Sequence, residues 1–398
     1  MNVARRPLIV VLGMMTGMPV GGVVWQTVQY LVGLKALGFD VCYVENHGTY
    51  PAMMTTADDF DGSERAAAFI AKTLGRFDLA SCWSYRPWHG AERHFGHSPS
   101  ELRQLFGRAA AILNLHGATP PLPEYRSSGP FIYIETDPVA PQIELHNHVP
   151  ATEQFLDAHA AHFTYGENIG APDCKVPVTP AKYRFRATRQ PIVTKFWNAD
   201  GMDAGDRFTT IANWRQPERQ MTLDGEVYHW SKHYEFLKFI DLPQRTTQPF
   251  ELALSSYEAA DEEMLKAKGW RVTPALEFSL DADRYRQFIL TSRGEWTVAK
   301  DQNVRLRSGW FSDRAASYLA AGRPVVTQET GFSNVLPTGA GLFGFSTMEE
   351  TLAAVDAINS DYARHSRAAR GLARECFSSD VVLSKLLDEA GVSLPGKI

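Results

Sequence analysis

The sequence predicts an α/β chain of two domains, each built on a parallel sheet, and three observations carry that prediction. The chain has 398 residues, too many for one ordinary core and suited to two domains of about 200 residues each. Short apolar runs of strand length alternate with helical stretches over most of it, the pattern of repeated βαβ units. At residues 8–45 the unit is complete: apolar strand, glycine loop, helix, Leu-Gly stop and second strand.

In chain order, residues 8–12 form a buried strand, a loop covers 13–22, and a helix from about 23 to 37 ends at Gly38 before a strand at 39–45. The apolar run after Arg5 and Arg6 is five residues long before Gly13, too short for the core of a signal peptide. Further strands are expected at 110–115 and 131–136, with helices near 63–74, 98–106 and 151–159. Residues 171–197 carry Pro172, Pro177, Pro180 and Pro191 without helical periodicity and read as the crossover between domains. The second domain opens with a strand at 208–212 and the loop Asn213-Trp214-Arg215. A helix at 231–239, strand at 250–254, helix at 258–268, strand at 270–273, helix at 283–290 and strand at 296–299 follow. Helices near 348–358, 360–375 and 379–390 close the chain.

Composition narrows the function. A net charge of −5 argues against nucleic acid as the main partner, because affinity for a phosphate backbone comes from accumulated Lys and Arg. Cys42, Cys82, Cys174 and Cys376 show no C-x-x-C pairing, so reduced thiols in a cytoplasmic protein are expected, with neither a zinc site nor a disulfide framework. No run approaches the ~20 apolar residues of a membrane-spanning helix.

The loop at 13–22 is neither G-x-G-x-x-G nor a P-loop, yet Gly21 and Gly22, just before the helix, allow close approach of backbone to a ligand. The strand at 131–136 runs into Glu135 and Asp137, which period-two geometry places on one side, and Pro138 ends it. A carboxylate at the carboxyl end of a sheet strand is placed to take a proton from a hydroxyl, which makes Asp137 the first candidate base; the alternative is that it caps a turn or orders Arg184 or Arg186. His116, ending the previous strand, is the second candidate. Among His89, His94, His97, His146, His148, His159 and His162 only the pairs 146/148 and 159/162 are tightly spaced, and neither has a convincing third ligand, so no metal is expected. Asp281-Ala282-Asp283 reads as a helix start. The aromatic run from Cys82 to Trp88 is expected as a loop, serving either as core or as a stacking surface.

Residues 307–332, RSGWFSDRAASYLAAGRPVVTQETGF, are the most informative stretch. Ser312 is a plausible N-cap for a small-residue helix, Gly322 supplies its left-handed stop, and Pro324-Val325-Val326-Thr327 is a buried strand. The loops 309–314 and 328–333 then fall at the carboxyl edge of a parallel sheet, where open α/β folds bind ligands. A helix N-terminus beside Arg314 suits a diphosphate.

This stretch resembles the donor-binding segment of the GT-B glycosyltransferases, with Ala320-Ala321-Gly322-Arg323-Pro324-Val325-Val326 followed by Glu329-Thr330-Gly331. The resemblance implies an α/β fold of two Rossmann-like domains facing across a cleft: 1–190 for the acceptor, 191–376 for the donor, and a helix at 377–398 that can return to the first domain. It implies a transferase moving a sugar from a nucleotide-sugar to a small-molecule, glycan or other hydroxyl acceptor. No cofactor or metal is expected beyond that co-substrate. Gly21, Gly22, Asn213, Arg215, Gly309, Ser312, Asp313, Arg314, Glu329, Thr330 and Gly331 are the positions it brings to the donor. The chain also departs from the pattern. Gly309 and Ser317 stand where retaining members often carry glutamates, and Gly309 also stands where plant-type relatives carry a histidine. The load therefore shifts to Arg215, Arg314 and the helix start. A hydrolysing nucleotide-sugar epimerase and a non-catalytic nucleotide-sugar-binding protein of the same fold are the alternative readings.

Overall fold

The computed structural model describes residues 6–46, 51–87, 92–125, 127–216 and 219–396. The first sheet contains β1 (Leu8–Leu12), β2 (Asp40–Asn46), β3 (Trp83–Arg86), β4 (Phe95–Gly96), β5 (Ala109–Leu115), β6 (Phe131–Glu135), β7 (Ala161–Thr164) and β8 (Phe185–Ala187). Its order is β4-β3-β2-β1-β5-β6-β7-β8, parallel throughout except for the antiparallel edge pair of β3 and β4. All five residues of β1 are buried, which is why Leu-Ile-Val-Val-Leu reads as an unbroken apolar run and not as an alternation.

In the second half β9 (Phe208–Asn213) is followed by a hairpin of β10 (Met221–Leu223) and β11 (Glu226–Tyr228). Then come β12 (Phe250–Ser255), β13 (Arg271–Pro274), β14 (Gly294–Thr297), β15 (Val325–Gln328) and β16 (Leu342–Phe345). Their sheet is wholly parallel in the order β13-β12-β9-β14-β15-β16, the doubly wound arrangement. The chain reverses direction between β1 and β5 in one sheet and between β9 and β14 in the other. Those two switch points are where such sheets hold ligands, beyond the carboxyl ends of the strands.

Several expectations shift. The aromatic run holds strand β3 and not a loop, with the consecutive residues Ser84 and Tyr85 buried on its two faces; Trp88 and His89 lie outside the described residues. The proline-rich stretch holds β8, paired to β7 at His162↔Phe185. Strands β7, β8 and β16, each four residues or fewer, were too short to carry a periodicity. Residues 298 and 299 fall outside the fourth strand of the second sheet, which starts at Gly294.

Helices bind the halves together. Trp25 Nε1, in the helix Gly21–Ala36, donates to the carbonyl of Ala282 at 2.7 Å. The helix Ser379–Glu389 crosses back onto the same helix at Gly33, where a methyl group would stand 2.6 Å from Leu383 Cδ1 and 2.8 Å from Ser379 Cβ. The backbone of Ile192 holds the approach, donating to Phe377 at 2.6 Å and accepting from Ser379 at 2.9 Å. No helix among the described residues is long and apolar enough to cross a membrane.

Candidate active site

The carboxyl ends of both sheets border one cleft of about 460 Å³, lined from the first half by Met18, Gly22 and Asp137 and from the second by Asn213, Lys232 and Arg314, among others. On the first side the loop after β1 is shaped by the buried carboxylate of Glu45. It accepts from the Thr16 backbone at 2.8 Å, the Gly17 backbone at 3.3 Å and Tyr43 Oη at 2.6 Å, and from the Thr16 hydroxyl. Gly22 faces the cleft, with Tyr285 Oη 3.5 Å from where a Cβ would sit. Gly21 does not: Tyr285 Cβ and Cγ would be 2.4 Å from an added methyl, so this glycine admits the other domain and not a ligand.

Glu135 and Asp137 part company at the end of β6. Glu135 is buried and accepts from Gln142 Nε2 at 2.9 Å; burial pushes its pKa up to about 8. Asp137 reaches the cleft and pairs with Lys300 from the opposite domain, while its Oδ1 is buried without a hydrogen-bond partner. It orders neither Arg184 nor Arg186. His116 stands one step behind, its Nδ1 2.7 Å from Thr136 Oγ1 and its Nε2 buried without a partner. Burial lowers its pKa to about 4, so the ring is neutral near pH 7.

On the second side Asn213, at the end of β9, lines the cleft and accepts from Ser255 Oγ. Arg215, which the resemblance brings to the donor, is already paired. Both arms of its guanidinium are held by Asp261, at 3.0 and 2.5 Å, and this pairing keeps the Asp261 carboxyl down at about 2. Asp261 sits in the first turn of the helix Ala259–Ala267, so Arg215 is held at a helix start and is not among the residues lining the cleft. Arg314 lines the cleft, but its donors are already engaged. It pairs with fully buried Glu295, donates to the Ile211 carbonyl, and reaches Thr297 Oγ1 at 3.0 Å.

Ser312 caps the helix Asp313–Ala320, accepting from the Arg314 backbone at 3.2 Å, as its position predicts. Asp313 accepts from Gln26 Nε2, on the first domain's opening helix, at 2.8 Å, and burial raises its pKa to about 7. Gly309, Glu329, Thr330 and Gly331 are brought together, but around a first-domain residue and not on the cleft wall. Gly309 donates to the Thr330 carbonyl at 2.7 Å, and Glu329 Oε1 accepts from the Gly331 backbone at 2.5 Å. At both glycines, φ of 81° and 95°, an added methyl would meet Asn168, at 2.3 and 2.5 Å. Asn168 in turn donates to the Arg307 carbonyl at 2.9 Å and Asp173 Oδ1 at 3.1 Å, making a latch between the domains.

The cations that border the cleft are others. Lys232 is buried, makes no salt bridge among the described residues, and lies 5.4 Å from the Trp310 ring centre. Burial pulls its pKa well down, helped by the charges of Arg314 and Lys300 and opposed by those of Glu295 and Asp137. Lys300 lies 3.3 Å from the ring centre of Trp230; burial lowers its pKa and Asp137 opposes that shift. The Arg219 guanidinium stands 5.5 Å from a ring centre of the same indole. Sequence reading passed over Lys232 and Arg219 because the hairpin β10–β11 is inserted between β9 and the helix His233–Leu237. The available signal was the run Trp230-Ser231-Lys232 just ahead of a helical segment.

Two doubly wound sheets, switch points facing one cleft, and a capped helix with buried cations at its wall define the GT-B fold. Solved structures agree. An alpha-glucosyltransferase in complex with UDP and a 13-mer DNA matches over 97% of this chain and 100% of that chain, at a TM-score of 0.59 and 9% identity. The alpha-glucosyltransferase in complex with UDP has a TM-score of 0.56 at 8% identity, over 97% of this chain and 100% of that chain. A sucrose-phosphate synthase from Thermosynechococcus elongatus has 0.50 at 10%, over 96% of this chain and 99% of that chain. The sequence matches no protein-family model and no curated protein.

Proposed function

We propose that this chain is a glycosyltransferase, moving a sugar from a nucleotide-sugar to an acceptor hydroxyl in the interdomain cleft. The observation that carries this reading is Lys232, a buried amino group that lines the cleft and makes no salt bridge among the described residues. A desolvated cation is costly by several kcal/mol unless an anion meets it, and a nucleoside diphosphate supplies that anion. Lys232 and Lys300, with the N–H groups of the helix at Ser312, take up the charge of the leaving diphosphate, so the transfer needs no metal. Asp137 is the base that takes the acceptor proton, positioned at the cleft by its pairing with Lys300. His116, neutral and with its pKa lowered to about 4, is the weaker choice. The sugar-binding role expected of Glu329, Thr330 and Gly331 rests on the resemblance alone. The fold gives no support to excluding a nucleic-acid acceptor, since one structural relative is in complex with DNA.

The test is a thermal-shift screen of the full chain with UDP, GDP, dTDP and ADP. One of them is expected to raise the melting temperature of the wild type, and Lys232→Met to remove that rise. No shift with any of the four, or a shift that survives the substitution, sinks the reading. Turnover on the donor so identified is expected to persist in EDTA; loss restored by manganese overturns metal independence. Release of a free sugar epimer and diphosphate from donor alone overturns transfer.

A further inference from the structure

Away from the cleft, the first sheet brings together three residues whose sequence spacing suggested nothing. Cys42 lies in β2, fully buried on the face covered by the helix Pro99–Gly107. Cys82 precedes β3 and is its lateral neighbour, since Tyr43 pairs with Trp83 and the Tyr43 backbone donates to the Cys82 carbonyl at 3.0 Å. His97 follows β4 and is fixed beside β3, donating from its backbone to the Trp83 carbonyl at 2.9 Å. The two Sγ atoms and an imidazole nitrogen lie within 4.8 Å of one another. Cys82 and His97 line a cavity of about 320 Å³ bordered by Asp40, Lys35 and Arg108, at the end of β1 and β2 opposite the cleft, with Cys42 buried behind them.

We propose that Cys42, Cys82 and His97 form a binding site for a thiophilic divalent cation, zinc by chemistry, independent of the sugar-transfer cleft. Tetrahedral zinc, with Zn–S of about 2.3 Å and Zn–N of about 2.0 Å, sets its ligand atoms about 3.4–3.8 Å apart, so closing by about 1 Å completes the set. Two sulfurs and one imidazole are the donors zinc favours over magnesium or calcium. Glu101 Oε2 stands 3.7 Å from His97 Nδ1, beyond hydrogen-bond reach, and accepts instead from the Ser98 backbone and hydroxyl at 2.8 and 2.7 Å. The ion displaces one proton from each thiol, so two thiolates, a neutral imidazole and a divalent ion carry no net charge for Arg108 to repel. Three protein ligands leave the fourth position to water or a small ligand from the cavity.

The experiment uses the full chain, reduced, freed of metal and without a histidine tag, titrated with Co2+. Expected are a thiolate-to-cobalt charge-transfer band and the strong visible absorption of tetrahedral cobalt, both saturating at one equivalent and erased by one equivalent of Zn2+. Cys82→Ser and His97→Gln are each expected to weaken the Co2+ affinity by about tenfold or more. Only weak octahedral absorption, or affinity unchanged in both variants, overturns the site. So does a wild type that takes up no metal after reduction and instead forms a Cys42–Cys82 disulfide in air. The readout is spectroscopic, so its failure leaves the cleft reading untouched, and failure of nucleotide binding leaves this one untouched.

Discussion

Asp137 and Lys300 meet across the cleft from opposite domains, and the pairing decides what each is fit for. Lys300 holds one carboxylate oxygen, while Oδ1 is buried without a hydrogen-bond partner and is the atom left to meet an acceptor hydroxyl. Asp137→Asn is therefore expected to cut turnover by about tenfold or more while donor affinity stays near normal. Full turnover in steady-state kinetics removes Asp137 from the chemistry. Its place at a strand end was legible because Pro138 stops β6 and the acidic residues follow it directly. The partners of arginines were not legible. Arg215 and Arg314 stand where sequence led one to look, yet Asp261 and Glu295 hold them, and both carboxylates come from segments distant in the chain. A guanidinium takes whichever carboxylate the fold presents in its plane, and sequence does not say which that is.

Elements with their own start and stop signals are where sequence reading succeeds. The helix Asp313–Ala320 has Ser312 at its start and Gly322, φ 68°, past its end. The helix Ala282–Leu290 is capped by Asp281, which accepts from the Asp283 and Arg284 backbones at 2.8 and 3.0 Å; this is why Asp281-Ala282-Asp283 is a helix start. Strands β7, β8 and β16 lack such signals and exist because neighbouring strands complete their hydrogen bonds. Helix-on-helix contact is similarly invisible until assembled. Gly33 is unremarkable within the helix Gly21–Ala36, but it is the contact point for the helix Ser379–Glu389. Gly33→Leu is expected to destabilise the protein by about 1–3 kcal/mol, read as a lower urea midpoint; an unchanged midpoint means the two helices do not need that close approach.

The pH dependence of stability sums opposing groups from both halves of the chain. Glu135 and Asp313, with pKa raised by burial to about 8 and about 7, hold protons in the folded state that the unfolded chain releases; their contribution is lost as pH rises through those values. His116 and His159, lowered to about 4, stay neutral when folded but charge when unfolded below about 6.5, so their contribution is lost as pH falls. His159 is fixed neutral: Nδ1–H donates to the Phe155 carbonyl at 2.8 Å, and Nε2 accepts from Asn114 at 3.1 Å. The urea midpoint of the wild type is expected to fall relative to that of His159→Gln as pH drops from about 7 to about 4.5. A difference constant over that range refutes a neutral buried His159.

The sequence by itself determined the α/β alternation, the switch-point loops, the capped helix at Ser312 and the acidic strand end at Asp137. Each is written in residues within a few positions of one another, where period, caps and stops act. Only the tertiary structure decided which charges face the cleft, that Asn168 latches the loops at Gly309 and Gly331, and that Cys42, Cys82 and His97 share one corner of a sheet. Those outcomes depend on strand order and side-chain partners far apart in the chain. Burial then sets how strongly each charge needs a counterpart.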